Sequence, residues 1–416
     1  MKAIYIHYPY CLYKCHYCDF NSHAYAKSDI PQNQYTQALL AELQRRRVDF
    51  TKSGTGFFPD GTKIKTIFLG GGTPSLMNPN DLEKILNALR DVFLFDDHIE
   101  ITLESNPGTV TFEKFRDFKS AGVNRVSLGV QSLHDRYLSK FGRIHTAREA
   151  HVAVEAAVAA GIPRISTDLI YGFPNQSLSE WQKDLDEMLS WNLGHASCYA
   201  LTAEEGTEFA KSVKNQLVAE TNPDLFADFQ EFTYARLAAT GRRAYEVSNF
   251  ALPGEESRHN LAYWNYESYL GLGAGACSQF VSSVGANNHS PLQGNITVRR
   301  QTNYRAPEHY MRTIACADNF YTTEVIEQTT AMQEFVMMGL RLQDGVDENR
   351  FQNLFQKSFR AVFVKAIAQN LENGRLVYER AGLGPAPKEN HRLKVTQQGF
   401  LMNHALVWDF FNEVGT

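Results

Sequence analysis

Three thiols sit close together near the start of the chain, in Cys11-Leu12-Tyr13-Lys14-Cys15-His16-Tyr17-Cys18. Their spacing, four residues and then three, puts all of them in one loop. Soft thiolate ligands suit zinc or an iron–sulfur cluster. Three thiolates can hold three irons of a 4Fe-4S cube and leave the fourth open to an exchangeable ligand. The amino and carboxylate groups of a methionine-type cofactor would serve. Zinc wants four ligands and usually takes cysteine pairs two residues apart. His16 could complete a zinc set, but beside Cys15 its reach is poor. Three inert structural thiols are a weak account, because loops are exposed and clustered thiols oxidise or bind metal.

Other stretches could do chemistry in company. Gly70-Gly71-Gly72-Thr73-Pro74 permits close backbone approach to a ligand, although a plain strand-to-helix turn would look the same. Glu104, in Glu104-Ser105-Asn106-Pro107, would on its own be a surface carboxylate. A second constellation lies far away, in Tyr245-Glu246-Val247-Ser248-Asn249-Phe250-Ala251 and Arg258-His259-Asn260-Leu261-Ala262-Tyr263-Trp264. A lone histidine is usually just a hydrogen-bonded side chain. The glycines of Tyr269–Gly275 lack phosphate-loop spacing and a lysine.

These residues must be positioned by the elements around them. A β-rich run at 3–8 stops at Pro9. A helix is expected over 32–48 from Tyr35, Ala38, Leu39 and Leu43 at helical spacing, and 51–62 reads as a loop. Strands are expected at 65–69, 99–104, 125–130, 165–171 and 195–201. Helices are expected at 79–92, 111–120, 134–140, 146–160 and 178–191. Pro79 sits at a first helical position. Thr146-x-x-Glu149 and Ser177-x-x-Glu180 are capping-box patterns. Six strand–helix alternations argue for a parallel sheet covered by helices. In a barrel of such units the chemistry sits at the C-terminal ends of the strands. The cysteine loop, Gly70–Pro74 and Glu104 all lie there. Beyond 202 the alternation stops. A helix over 222–239, a strand at 245–250, loop and hairpin over 282–304, and helices at 328–342 and 358–373 follow. Then come a hairpin at 374–396 and a last helix, suggesting a compact C-terminal domain of winged-helix type with a structural or interaction role.

Composition limits the function class. The 416 residues allow one large domain or two to three ordinary ones. Hydrophobic residues make up 43%, enough for a sizeable core. Lys+Arg 41 against Asp+Glu 46 gives a net charge of −5, which argues against a general nucleic-acid surface. No stretch approaches the ~20 apolar residues of a spanning helix, and the start has no signal-peptide shape. Three of the six cysteines are clustered and Cys198, Cys277 and Cys316 are scattered, which is no secreted disulfide framework. A cytoplasmic, reducing location is expected, with no membrane span, while peripheral contact with a membrane-held partner stays compatible.

Cys-x3-Cys-x2-Cys followed by Asp19-Phe20 and preceded by Tyr5-Ile6-His7-Tyr8-Pro9 resembles the radical S-adenosylmethionine (SAM) superfamily. Within it the chain is similar to the branch related to oxygen-independent coproporphyrinogen III oxidase, over about residues 3–410. The resemblance implies an α/β fold: a partial (β/α)6 TIM-type barrel with a smaller, mainly helical C-terminal domain. It divides the chain into a barrel core at 1–220, a flanking segment at 221–315 and a C-terminal domain at 316–416. It implies a 4Fe-4S cluster on Cys11, Cys15 and Cys18, shielded by Tyr17 and Phe20. It also implies SAM held by Tyr5, Tyr17, Gly71, Gly72, Thr73, Glu104, Gln131, Arg143, Asp168 and Ala200. In that reading the glycines pair with the methionine part and Glu104 with the ribose. His259, Asn260, Tyr263 and Trp264 match a His-Asn-x-x-Tyr-Trp motif associated with heme binding in the heme-chaperone branch.

Two activities share this framework. The oxidase would abstract hydrogen from porphyrinogen propionates and decarboxylate them. That branch carries a fourth cysteine two residues after the third, where this chain has Phe20, and an extension ahead of the first strand, where this chain has only Met1-Lys2. Both departures, and the histidine motif, favour a chaperone that binds heme and delivers it to an acceptor protein. A radical SAM methyltransferase and a cluster-bearing scaffold without turnover remain as alternatives.

Overall fold

The computed structural model describes residues 2–52, 63–283, 296–316, 318–380 and 391–414. The loop expected over 51–62 lies almost wholly outside the described residues, as does 284–295 of the expected loop and hairpin.

Six strands run parallel and side by side in chain order: β1 (Ala3–Tyr8), β2 (Lys63–Gly71), β3 (Leu94–Ser105), β4 (Arg125–Gln131), β5 (Arg164–Tyr171) and β6 (His195–Ala200). Helices α1 (Gln32–Lys52), α2 (Pro79–Val92), α3 (Phe112–Ala121), α4 (Ala147–Ala159) and α5 (Leu178–Ser190) connect them. Parallel strands need such crossovers, which cover the sheet's outer face. The helices bury stripes at helical spacing: α2 contributes Leu82, Ile85, Leu86 and Leu89. Truncating a fully buried leucine of this stripe, such as Leu86, to alanine would cost about 2–5 kcal/mol. Both capping boxes form, at Thr146/Glu149 and Ser177/Glu180.

The strands alternate by period two. Ile4, Ile67, Leu103, Val126, Leu128 and Leu169 pack outward into the main core. The alternate residues face a polar interior. There Ser127 Oγ donates to Asp168 Oδ1 at 3.0 Å, and Ser166 Oγ lies 2.6 Å from His195 Nδ1. This is the expected partial barrel.

The sheet does not end with the sixth strand. Tyr269–Leu272 joins β1 in parallel, and Cys277–Ser283, Ile296–Asn303 and Tyr321–Ile326 add antiparallel strands beyond it. At the other edge lie Asn249–Ala251 and Arg243–Ala244, giving this sheet twelve strands among the described residues. The outermost strand, Tyr321–Ile326, lies past residue 316, where the C-terminal domain was expected to begin. The single strand expected at 245–250 is instead two short ones. The buried Glu246 carboxylate accepts from the Ser248 N–H and the Asn249 amide, and Tyr245 N–H donates to Asn249 O at 3.1 Å, so the chain turns there. Gly271 packs directly on the strand that follows: a Cβ there would sit 2.1 Å from Cys277 O, which accounts for one glycine of this stretch by packing alone.

The C-terminal region is helical, with one antiparallel hairpin, Leu376–Arg380 against His391–Val395. The helix expected over 358–373 breaks at Phe363 (φ −118°, ψ 45°), and the last helix breaks at Met402 (φ −111°, ψ 28°). Glu348–Phe355 is a further helix that the pattern did not announce. No helix among the described residues is long and apolar enough to cross a membrane.

Candidate functional site

The cysteine loop hangs from the end of β1. Tyr10–Cys11 pairs with His23–Ala24, which closes the loop on itself. The Cys18 N–H donates to Cys15 O at 3.1 Å, and His16 N–H reaches across to Phe141 O at 3.1 Å. His16 faces away from the thiols: its Nδ1 meets Lys140 O at 3.0 Å and its Nε2 meets the Tyr13 hydroxyl at 3.1 Å. It therefore does not complete a zinc set. Among the described residues no three His, Cys, Asp or Glu side chains converge where one ion could be held.

All three cysteines line one cavity of about 400 Å³ at the C-terminal ends of the strands. Each thiol has its own polar neighbour. Thr73 Oγ1 donates to Cys11 Sγ at 3.3 Å, Arg143 Nη1 to Cys15 Sγ at 3.4 Å, and Ser22 Oγ lies 3.7 Å from Cys18 Sγ. Burial pushes the Cys11 thiol up to about 11 and raises Cys18 as well, so these thiols keep their protons until a bound metal displaces them to solvent. Burial alone would lower Arg143, but Tyr17 and the neighbouring thiols outweigh it and hold the guanidinium charged. Its Nη2 is anchored on Gly129 O at 2.6 Å, while its Nε has no partner. Ser105 Oγ on the same wall is buried and unpartnered too. Donors left unpaired out of water are costly unless something polar fills the cavity.

The glycine turn comes close to the loop. Gly72 N–H donates to Tyr8 O and Thr73 N–H to Tyr10 O, both at 2.8 Å. Gly71 adopts φ +113°, and a Cβ there would lie 2.5 Å from the His7 ring, so only glycine fits. Gly71 N–H donates to Glu104 Oε2 at 3.2 Å. Burial, then the charge of Asp168, raise Glu104 to about 8, and burial raises Asp168 also. Gln131 sits at φ +69° beside an irregularity in the β4–β5 pairing, which turns its side chain into the cavity.

Cys11, Cys15, Cys18, Tyr17, Gly71, Gly72, Thr73, Glu104, Gln131, Arg143, Asp168 and Ala200 all line this cavity. Asp168 points inward. Tyr5 lies one layer deeper, its hydroxyl 3.0 Å from His7 Nδ1 and its ring beneath Gly70. The pattern did not announce Ser22, Ser105 or Ser127, because isolated serines carry no signal without their spatial partners. Phe20 stands at the rim, 60% exposed. Three thiols, each with its own polar neighbour, unpaired donors and a glycine-only turn fit a cluster with a small polar cofactor beside it.

The second constellation does not join this cavity. His259, Asn260, Tyr263 and Trp264 lie on the short helix α6 (Arg258–Trp264), packed at the opposite, N-terminal end of the strands. Glu100 fixes that helix, accepting the N–H groups of Arg258 and His259 at 3.1 Å each and pairing with Arg164. His259 is 1% exposed. Its Nδ1 bonds Thr66 Oγ1 at 2.9 Å, its Nε2 bonds the Tyr263 hydroxyl at 3.0 Å, and its ring stacks on Phe68. Burial, then the Arg125 charge, lower it to about 3. Both ring nitrogens are thus engaged inside the barrel, and neither is free for a heme iron. The indole of Trp264 packs under the Arg341 guanidinium, its Nε1 buried and unpartnered. In this ligand-free arrangement His259 would have to exchange its bonds to Thr66 or Tyr263 before its imidazole could meet a heme iron.

Comparison with known proteins bears on both regions. Residues 5–188 match the radical SAM superfamily and residues 326–402 the HemN C-terminal domain. The heme chaperone HemW of Lactococcus lactis is 32% identical across 96% of this chain and 94% of its own length. The heme chaperone HemW of Haemophilus influenzae is 36% identical across 88% and 90%. The solved structure of coproporphyrinogen III oxidase (HemN) from Escherichia coli superposes with a TM-score of 0.76 over 98% of this chain and 90% of that one, at 19% identity, and so shares the fold.

Proposed function

The chain belongs to the radical SAM superfamily, in the family of the heme chaperone HemW, and from that premise we propose that it is a heme chaperone. It carries a 4Fe-4S cluster on Cys11, Cys15 and Cys18, binds SAM in the adjoining cavity, and passes heme to an acceptor protein. The observation that carries this reading is the pairing of a three-thiol cavity with Phe20 in place of a fourth cysteine, in a chain matched along most of its length by proteins named heme chaperones.

A bound cluster of this type supplies an open iron for the amino and carboxylate groups of SAM. The protein's own residues do the rest. Thr73, Arg143 and the Ser22 hydroxyl neutralise or hydrogen-bond the sulfur ligands, which tunes such a cluster. Gly71 and Gly72 let a ligand lie against the backbone. Glu104 and Asp168 offer oxygens to hydroxyl groups, and a neutral Glu104 donates as well as accepts. Tyr17 and Phe141 pack beside the loop, ring centroids 6.2 Å apart, and limit water at one side. We place the protein in the cytoplasm, where all six cysteines stay reduced; no disulfide links the described residues.

The oxidase alternative is tested by anaerobic incubation with coproporphyrinogen III, SAM and reductant. The proposal expects the porphyrinogen to be recovered unchanged. Its conversion to protoporphyrinogen would overturn the chaperone reading in favour of the oxidase.

A further inference from the structure

Gln131 reaches the cavity from a backbone that resists the shape it holds. It sits at φ +69°, and the Ser132 N–H donates to Val130 O at 2.9 Å, so the chain closes a tight turn around it. A non-glycine residue in such a turn is strained and persists only where its surroundings over-determine it. We propose that His145 is the positioning residue that holds this turn, and so keeps the Gln131 side chain in the cavity where SAM binds. This role rests on the SAM reading of the cavity and deepens it.

His145 does not line the cavity; it is 3% exposed and lies behind the wall. Its Nε2 donates to Val130 O at 3.0 Å, the same carbonyl that closes the turn. A carbonyl only accepts, so the ring carries its proton on Nε2. Burial, then the Arg143 charge, lower the ring to about 4, so near neutral pH it keeps that one proton. Nδ1 lies 3.1 Å from the side-chain amide of Asn106, in the loop that follows β3 and also lines the cavity. The imidazole therefore spans the ends of β3 and β4 behind one wall.

The backbone of His145 is itself fixed. The next residue, Thr146, is the N-cap of α4, with its capping box closed on Glu149. A Cβ on Gly108 would lie 3.4 Å from the His145 Cβ, so the loop after β3 packs directly against it. Two residues earlier, Arg143 Nη2 donates to Gly129 O at 2.6 Å. A Cβ on Gly129 would meet Gln131 Nε2 at 2.9 Å and Arg143 Nη2 at 3.3 Å. The Gln131 amide and the Arg143 guanidinium thus converge over one glycine, and a turn released at Val130 moves the first relative to the second. A plain space-filling role for His145 would need none of these bonds, and any ring of like size would serve.

That difference sets the variants. Glutamine carries an amide N–H to the place of Nε2, asparagine only to the place of Nδ1, and phenylalanine fills the space with neither. The test is SAM binding to the full-length, cluster-loaded chain by anaerobic equilibrium dialysis, with iron content and circular dichroism on each variant. His145→Gln is expected to bind SAM within about threefold of the parent. His145→Asn, and His145→Phe where it folds, are expected to bind about tenfold more weakly at parent iron content. In a Gln131→Ala background, His145→Asn is expected to add less than about twofold, because the two residues act as one unit. Parent-like SAM binding by His145→Asn or by a folded His145→Phe overturns the role while leaving the SAM reading standing. Equal weakening by glutamine and asparagine, or losses that multiply in the double variant, overturn it too. A parent chain that takes up no SAM overturns the cofactor reading and the positioning role together.

Discussion

Replacing Glu104 by glutamine removes a half-buried carboxyl from the cavity wall. Glutamine keeps an amide oxygen for the Gly71 N–H, so the backbone turn survives. Burial, and then the Asp168 charge, raise the Glu104 pKa from 4.5 to about 8. Between those values the folded chain holds a proton that the unfolded chain has released. Stability therefore falls as pH rises through that window, and the loss is complete above the folded value. At 1.36 kcal/mol per pH unit the full window corresponds to about 4 to 5 kcal/mol as a ceiling. That is a large share of the roughly 5–15 kcal/mol that holds a domain folded. The assay is denaturant unfolding of the cofactor-free parent and Glu104→Gln from pH 5 to pH 9, anaerobic and with thiols reduced. The stability difference is expected to grow in the variant's favour as pH rises from 5 to 8 and then level off. Asp168, also raised by burial, leaves a slope of the same sign in both proteins. A difference that stays constant across the range would show that Glu104 ionises normally, and the raised carboxyl beside Asp168 would be wrong.

Single replacement of Cys11, Cys15 or Cys18 by alanine should abolish the uptake of about four irons per chain on anaerobic reconstitution, measured by iron and sulfide analysis. Stoichiometric zinc in the parent would refute the cluster. Gly71→Ala should destabilise the chain by about 1–3 kcal/mol or more in a melting experiment, because it adds a Cβ 2.5 Å from His7 at a positive φ. His259, lowered from 6.5 to about 3 by burial, costs stability as pH falls through that window, since the unfolded chain takes up the proton first. His259→Gln should therefore gain on the parent as pH drops from 6.5, and a constant gap would contradict the buried placement. Thr73→Val, which removes the hydrogen bond to Cys11 Sγ, should lower the cluster's reduction potential in a spectroelectrochemical titration.

Much of the barrel was legible because its signals are local. The strand–helix alternation, Pro79 and the two capping boxes are patterns within a few residues, and each element formed where expected to within a few positions. The cysteine loop, the glycine turn and Glu104 were placed by the rule that strand ends carry the chemistry, while Gln131, Arg143, Asp168 and Ala200 were named by the family resemblance. What stayed hidden depended on distant partners. Tyr269–Leu272 is four residues of glycine-broken chain, and only its pairing with β1 makes it a strand. The fate of His259 was decided by Thr66, Phe68 and Glu100, which are remote in sequence, so its spacing to Tyr263 described one helix face and not its surroundings.

The central claim is that this three-thiol barrel handles heme as cargo. It is met most directly by loading the cluster- and SAM-bearing chain with hemin under anaerobic conditions and mixing it with an excess of an apo heme protein. Both partners are then separated and their Soret spectra recorded. The account predicts stoichiometric hemin on the chain before mixing and its appearance on the acceptor afterwards, faster than release into acceptor-free buffer. A chain that never acquires a Soret band, or that holds heme equally long with and without the acceptor, would contradict it.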